Sequence, residues 1–209
     1  RREPGGPALR GDQRQTRGIH EYIILEEKKM EQKKLSTKDM AYIGLFACLM
    51  AICAWISIPG QIPFTLQTMG VFLAVGLLGG KRGTLAVLVY VLMGAVGLPV
   101  FSGFTGGIGR LLGATGGYII GFLASALLMW ALEKVLGEKK WGLALSMLLG
   151  LIACYAFGTA WFLVVYTNAK GAISLAAVLG MCVIPYIIPD VIKIIVALSL
   201  TGALKRFVK

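Results

Sequence analysis

Six apolar stretches constrain this chain more than any other feature: residues 39–58, 67–79, 83–98, 115–136, 142–166 and 185–204. A helix of about 20 apolar residues crosses the hydrocarbon core of a bilayer, and most of these segments approach that length. Segments two and three are short, which implies tilt or a broken helix. Hydrophobic residues make up 57% of the 209-residue chain and charged residues only 15%, most of them in the first forty positions and the last five. A soluble domain is about 45–50% apolar. These features predict an all-α membrane protein with one bundle of six transmembrane helices. The formal charge of +11 does not point to nucleic acid, because the basic residues sit at segment ends, where membrane topology puts them.

Those basic residues predict the orientation. Lys28, Lys29, Lys33, Lys34 and Lys38 precede segment one. Lys81 and Arg82 join segments two and three, and Lys134, Lys139 and Lys140 join four and five. Lys205, Arg206 and Lys209 follow segment six. The remaining connections hold only Arg110 and Lys170. Every second junction is basic, so both termini are expected in the cytoplasm and three loops outside. Residues 1–37 read as a polar, disordered tail, with a short helix near 22–34, and residues 38–209 as the membrane domain. Met30 is the expected natural start and residues 1–29 an extension. The tail has no apolar stretch of the kind a signal peptide needs.

The two connections that should lie outside with segment six's start are unusual. Loop one runs Ile58-Pro59-Gly60-Gln61-Ile62-Pro63-Phe64-Thr65-Leu66-Gln67, and loop two spans residues 99–114. Both are rich in Pro and Gly yet largely apolar, whereas a solvated linker carries more Ser and charge. Irregular apolar backbone at membrane depth must be covered by protein or line a cavity. Both loops are therefore expected to fold back over the bundle, beside the start of segment six.

There stand Asp190 and Lys193, an acid and a base three residues apart at the mouth of an apolar run. A charge at the centre of a membrane helix costs about 2.5–3.5 kcal/mol on insertion scales, so such residues pair or mark a site. The i, i+3 spacing puts both on one helix face. Two readings stand: a ligand site, or a first-turn acid after Pro189 with Lys193 as its partner.

Other candidates are weighed the same way. Thr105-Gly106-Gly107 and Thr115-Gly116-Gly117 allow close backbone approach, to a ligand or to a neighbouring helix. Arg110, the only basic residue of loop two, can hold a carboxylate as a bidentate pair or anchor to lipid phosphate. Thr65 and Gln67 can line a pocket or cap a helix. Phe104, Tyr118 and Tyr186 can cover an apolar ligand or form an interfacial belt. Ala47 and Ala51 put two small residues on one face of segment one, for close contact within the chain or with a partner.

Several chemistries are missing from the pattern. Cys48, Cys53, Cys154 and Cys182 lie in apolar segments without C-x-x-C spacing and read as small buried side chains. The single histidine, His20, is in the tail. Gly80-Lys81 is followed by Arg82, with Val75 where a phosphate-binding loop needs glycine, so this chain carries no NTPase loop. Uphill transport would draw on another chain or an ion gradient.

Four ordered stretches carry a resemblance. They are Ile62-Pro63-Phe64-Thr65-Leu66-Gln67-Thr68, Gly103-Phe104-Thr105-Gly106-Gly107-Ile108-Gly109, Gly113-Ala114-Thr115-Gly116-Gly117-Tyr118 and Ile184-Pro185-Tyr186-Ile187-Ile188-Pro189-Asp190-Val191-Ile192-Lys193. With them, residues 38–205 resemble the BioY family, the biotin-specific substrate-binding subunits (S components) of energy-coupling factor (ECF) transporters. Ala114 stands where that family usually has Pro, and Pro189 where it often has Gly.

The resemblance implies a six-helix S-component fold with a biotin pocket near the outer surface, in a prokaryotic plasma membrane. It implies a membrane coupling subunit and two cytoplasmic ABC-type ATPases as partners, with Ala47 and Ala51 touching the coupling subunit. The loaded S component is thought to topple in the membrane and carry its substrate inward. Asp190 and Lys193 match family binding positions. Asp190 suits the ureido N–H groups, Arg110 the carboxylate, and Phe104, Tyr118 and Tyr186 the ring system. Gln67, Thr65 and Thr105 supply further polar contacts. The resemblance implies no enzyme activity and no cofactor or metal. Alternatives are an S component for thiamine or riboflavin, an intramembrane enzyme using Asp190, and a purely structural subunit.

Overall fold

The computed structural model describes residues 35–60, 62–137 and 139–208. The expected tail helix near 22–34 and His20 lie outside them. Residues 1–40 and 41–209 are separate compact units. In the first, the Ser36 hydroxyl accepts the Asp39 N–H and Asp39 accepts the Ser36 N–H, both at 3.1 Å. This reciprocal capping box opens helix α1, Thr37–Trp55.

A two-stranded antiparallel ribbon follows, β1 (Ser57–Ile58) against β2 (Phe64–Thr65), with Ser57 opposite Thr65. Then come α2 (Gln67–Leu78), α3 (Gly80–Ala95), α4 (Ile108–Leu112), α5 (Gly116–Leu136), α6 (Lys140–Lys170), α7 (Leu175–Cys182) and α8 (Ile184–Val208). Each of the six apolar segments is helical. Helices α1, α5, α6 and α8 are long and apolar enough to cross a membrane. Many of their large apolar side chains face outward, among them Leu45, Ile52, Val135, Ile152, Val164 and Ile195. This is a multi-pass membrane protein.

The short second segment has a packing reason. α2 buries Gln67 and nearly everything from Gly70 to Leu78, and it packs against α3, α5, α6 and α8. A helix apolar on every side is a central helix, and one of 12 residues is enough to fill the bundle's middle. Gly79 alone joins it to α3, with φ +80°. That positive φ favours glycine. Gly83 then lets α3 fold back, since a Cβ there would lie 2.5 Å from Val75 Cα.

Three expectations change. Pro189 lies inside α8, which begins at Ile184, so Asp190 is not in a first turn. Ala47 is fully buried and Ala51 nearly so, both within the chain's own core. Of the two contacts their spacing allows, packing within the chain is the one this structure contains. Cys48 is exposed, because its side of α1 faces outward, while Cys53, Cys154 and Cys182 are buried.

Candidate functional site

A pocket opens where both loops meet the helix ends. Loop one folds over it with Ile62 and Pro63, and the Tyr186 hydroxyl from α8 donates to the Ile62 carbonyl. Loop two enters with Phe101 and Ser102. It is held by the Trp55 indole N–H, which donates to the Pro99 carbonyl at 2.8 Å, and by the Phe101 N–H, which donates to the Thr105 carbonyl at 2.9 Å. Helices α2, α4, α5, α6, α7 and α8 supply the rest of the wall.

Asp190 is the most heavily bonded group in the pocket. Its Oδ1 accepts the Lys193 ammonium at 2.7 Å and the Thr68 hydroxyl at 3.1 Å, and its Oδ2 accepts the Tyr155 hydroxyl. Both charges are buried, with 3% exposure for Asp190 and 6% for Lys193. The Lys193 ammonium also sits 4.2 Å from the centre of the Phe64 ring, a cation–π contact. Removing one member of such a pair strands the other charge, which is strongly destabilising. Every donor around Asp190 is a side chain, so each can rotate to admit another.

Arg110, on α4, reaches the same pocket half-buried. Its guanidinium has no hydrogen-bonding or ion-pair partner among the described residues. With Asp190 already balanced by Lys193, the guanidinium leaves the site one positive charge in excess. That arrangement suits a ligand with a single carboxylate.

Seven of the nine residues expected at the site line it: Thr65, Gln67, Arg110, Tyr118, Tyr186, Asp190 and Lys193. Phe104 and Thr105 do not. Phe104 takes φ 54°, turns outward at 64% exposure and stacks on Trp55 with ring centres 5.1 Å apart. The Thr105 hydroxyl donates to the Ser102 carbonyl at 2.9 Å and closes the loop on itself. Phe101 takes the inner place, its ring seated where any side chain at position 94 would have to be, and Gly94 makes that possible.

Three of the four paired glycines are packing devices, while Gly107 faces open space at φ +92°. A Cβ on Gly106 would strike the Leu98 carbonyl, and one on Gly117 the Trp161 side chain. Tyr118 packs against Gly158, and its hydroxyl lies 3.2 Å from the Thr159 hydroxyl. Tyr118 thus serves as wall, with its polar end already partnered.

Residues that sequence reasoning missed include Thr68, Phe101, Ser102, Cys154, Tyr155 and Cys182. Tyr155 had one signal, a hydroxyl-bearing ring in the middle of an apolar run, where it must find a partner. Nothing local marked that partner as Asp190.

A model of the BioY family matches residues 28–209. The chain belongs to the BioY family. The biotin transporter BioY of Thermotoga maritima is 43% identical over 170 residues, covering 81% of this chain and 96% of the relative. A probable biotin transporter BioY of Pyrococcus horikoshii is 37% identical over 172 residues, covering 82% and 98%. Among solved structures, an S component for biotin from an ECF-type ABC transporter superposes with a TM-score of 0.72. The two are 28% identical, and the match covers 84% of this chain and 93% of that one. The BioY relatives are transporters, and the fold of this chain is that of an S component.

Proposed function

We propose that this chain is the biotin-binding subunit of an ECF transporter. It sits in a prokaryotic plasma membrane with six spans, both termini in the cytoplasm and the pocket near the outer face. It takes biotin from outside and delivers it inward with a coupling subunit and two cytoplasmic ABC-type ATPases. The observation that carries this reading is the joining, in one apolar pocket, of a caged acid–base pair and an unpartnered guanidinium.

Biotin presents complementary groups: a ureido ring with two N–H donors and one carbonyl, a thioether, an apolar chain and a carboxylate. Asp190 accepts ureido N–H groups once its own donors turn aside, and Lys193 stays to balance it and to donate to the ligand. Arg110 takes the carboxylate. Tyr118 and Tyr186 cover the rings, while Thr65 and Gln67 border the polar end. The relatives' named substrate supports biotin over thiamine or riboflavin, and thiamine is a cation that Lys193 and Arg110 would repel. The chain performs no chemistry on its ligand.

Calorimetry on purified protein with a panel of biotin, thiamine and riboflavin tests the substrate: biotin alone is expected to bind. Arg110→Gln is expected to weaken biotin by about ten- to a hundredfold, the loss of a charge-assisted bond. Equal affinity for the methyl ester and the free acid in the unaltered protein would remove Arg110 from this role. A reporter fused at Gly80-Lys81-Arg82-Gly83 is expected inside the cell; an outside signal overturns the topology.

A further inference from the structure

Gln67 lines the pocket, yet its side chain is engaged elsewhere. Its Oε1 accepts the Thr65 hydroxyl at 3.0 Å, and its Nε2 donates to the Tyr90 hydroxyl. Tyr90 in turn donates to the Val100 carbonyl at 3.1 Å. Each hydroxyl donates once and in the same direction, from Thr65 through Gln67 and Tyr90 to Val100. Such an aligned chain is cooperatively strengthened in a low-dielectric interior. All four residues are buried, and Tyr90 has no exposed surface.

The two ends of this chain of bonds lie on different loops. Thr65 ends the ribbon of loop one. Val100 begins loop two, directly before Phe101 and Ser102, which form part of the pocket wall. The Phe101 ring meets Tyr90 edge-on, with centres 5.7 Å apart and planes at 79°. Tyr90 therefore holds loop two twice, by its hydroxyl on Val100 and by its ring on Phe101.

We infer that Gln67 and Tyr90 are positioning residues: a buried strap that ties loop one to loop two and sets Phe101 against the ligand. Gln67 is then not a ligand for biotin, although it borders the cavity. The inference rests on the biotin reading for its affinity test only.

Two measurements on full-length protein test it. The first is biotin affinity in a double-mutant cycle of Gln67→Met and Tyr90→Phe, both near-isosteric. Tyr90→Phe strands the Gln67 amide and the Val100 carbonyl, and is expected to weaken binding about tenfold. The double variant is expected to bind no more weakly than Tyr90→Phe alone, because removing both partners of a bond leaves fewer stranded groups than removing one. Losses that add in the double variant would make Gln67 a direct ligand and overturn the inference. The second measurement is hydrogen exchange of the ligand-free protein. Tyr90→Phe is expected to speed exchange of the Phe101 and Gly107 amides, which donate to Thr105 and Gly94 carbonyls. Unchanged exchange there would also overturn it. If the unaltered protein bound no biotin, the functional reading would fall and the exchange experiment would still decide the strap.

Discussion

A carboxylate is bonded near each end of α2, one to Thr68 within it and one to Gly80 of the next helix, and the two are held in different ways. At the first end, Asp190 gathers Thr68, Tyr155 and Lys193, all of them side chains. At the other, Glu133 of α5 accepts the backbone N–H of Gly80 at 2.6 Å. That amide cannot leave without unwinding the turn that starts α3. A carboxylate held by rotatable donors can exchange them for those of a ligand. One held by a helix N-terminus, where the free N–H groups and the dipole both favour negative charge, fixes the fold. On the proposed function, the same functional group is thus a binding element in one place and a clamp in the other.

The largest expected effect is at the binding end. Asp190→Asn should weaken biotin by at least about 1.5–3 kcal/mol, since a buried cation loses its partner and the ligand its acceptor. Calorimetry with affinity unchanged would end the distinction between the two carboxylates. Next comes the clamp. A Cβ on Gly80 would lie 2.5 Å from the Glu133 carboxylate and 2.7 Å from Trp130 Cα. Gly80→Ala should therefore lower stability by about 1–3 kcal/mol, the cost of overpacking, while folded protein keeps its biotin affinity. Thermal unfolding and calorimetry on the same sample separate the two outcomes. Glu133→Gln keeps an acceptor and loses the charge, so a smaller drop of about 0.3–1 kcal/mol in stability is expected. A loss of biotin binding in that variant would show the two ends to be coupled. Smallest of all, Thr105→Val removes a hydroxyl that closes loop two on itself, and should cost about 0.5–1.5 kcal/mol of stability at most. A larger effect on biotin than on stability would return Thr105 to the binding surface.

Much of this protein was legible in the sequence. The apolar runs and the i, i+3 acid–base pair are local patterns, and the runs follow from how a helix meets a bilayer. The apolar, glycine-rich loops signalled a cavity for a physical reason too, because such backbone needs cover. The start of α8 was legible to within one residue, 185 against Ile184, but the passage of the helix through Pro189 was not. Nor was the inward face of each helix. In a membrane protein the side chains facing lipid are as apolar as those facing the core, and α2, buried nearly all round, shows no periodicity either.

Tertiary structure alone decided which neighbours met. Thr68 reaches Asp190 across 122 positions, and Tyr155 reaches it across 35. Phe101 and Phe104 are three residues apart in one loop, with similar chemistry. Phe101 enters the pocket because Gly94 leaves room for its ring, and Phe104 turns out onto Trp55. Gln67 looked like a ligand by its position, and its side chain bonds Thr65 and Tyr90. By itself the sequence determined that a paired charge would lie at the edge of an apolar bundle, because hydrocarbon tolerates nothing else there. Which hydroxyls surround that charge, and which ring faces the ligand, depended on long-range packing between elements that carry no local mark of one another.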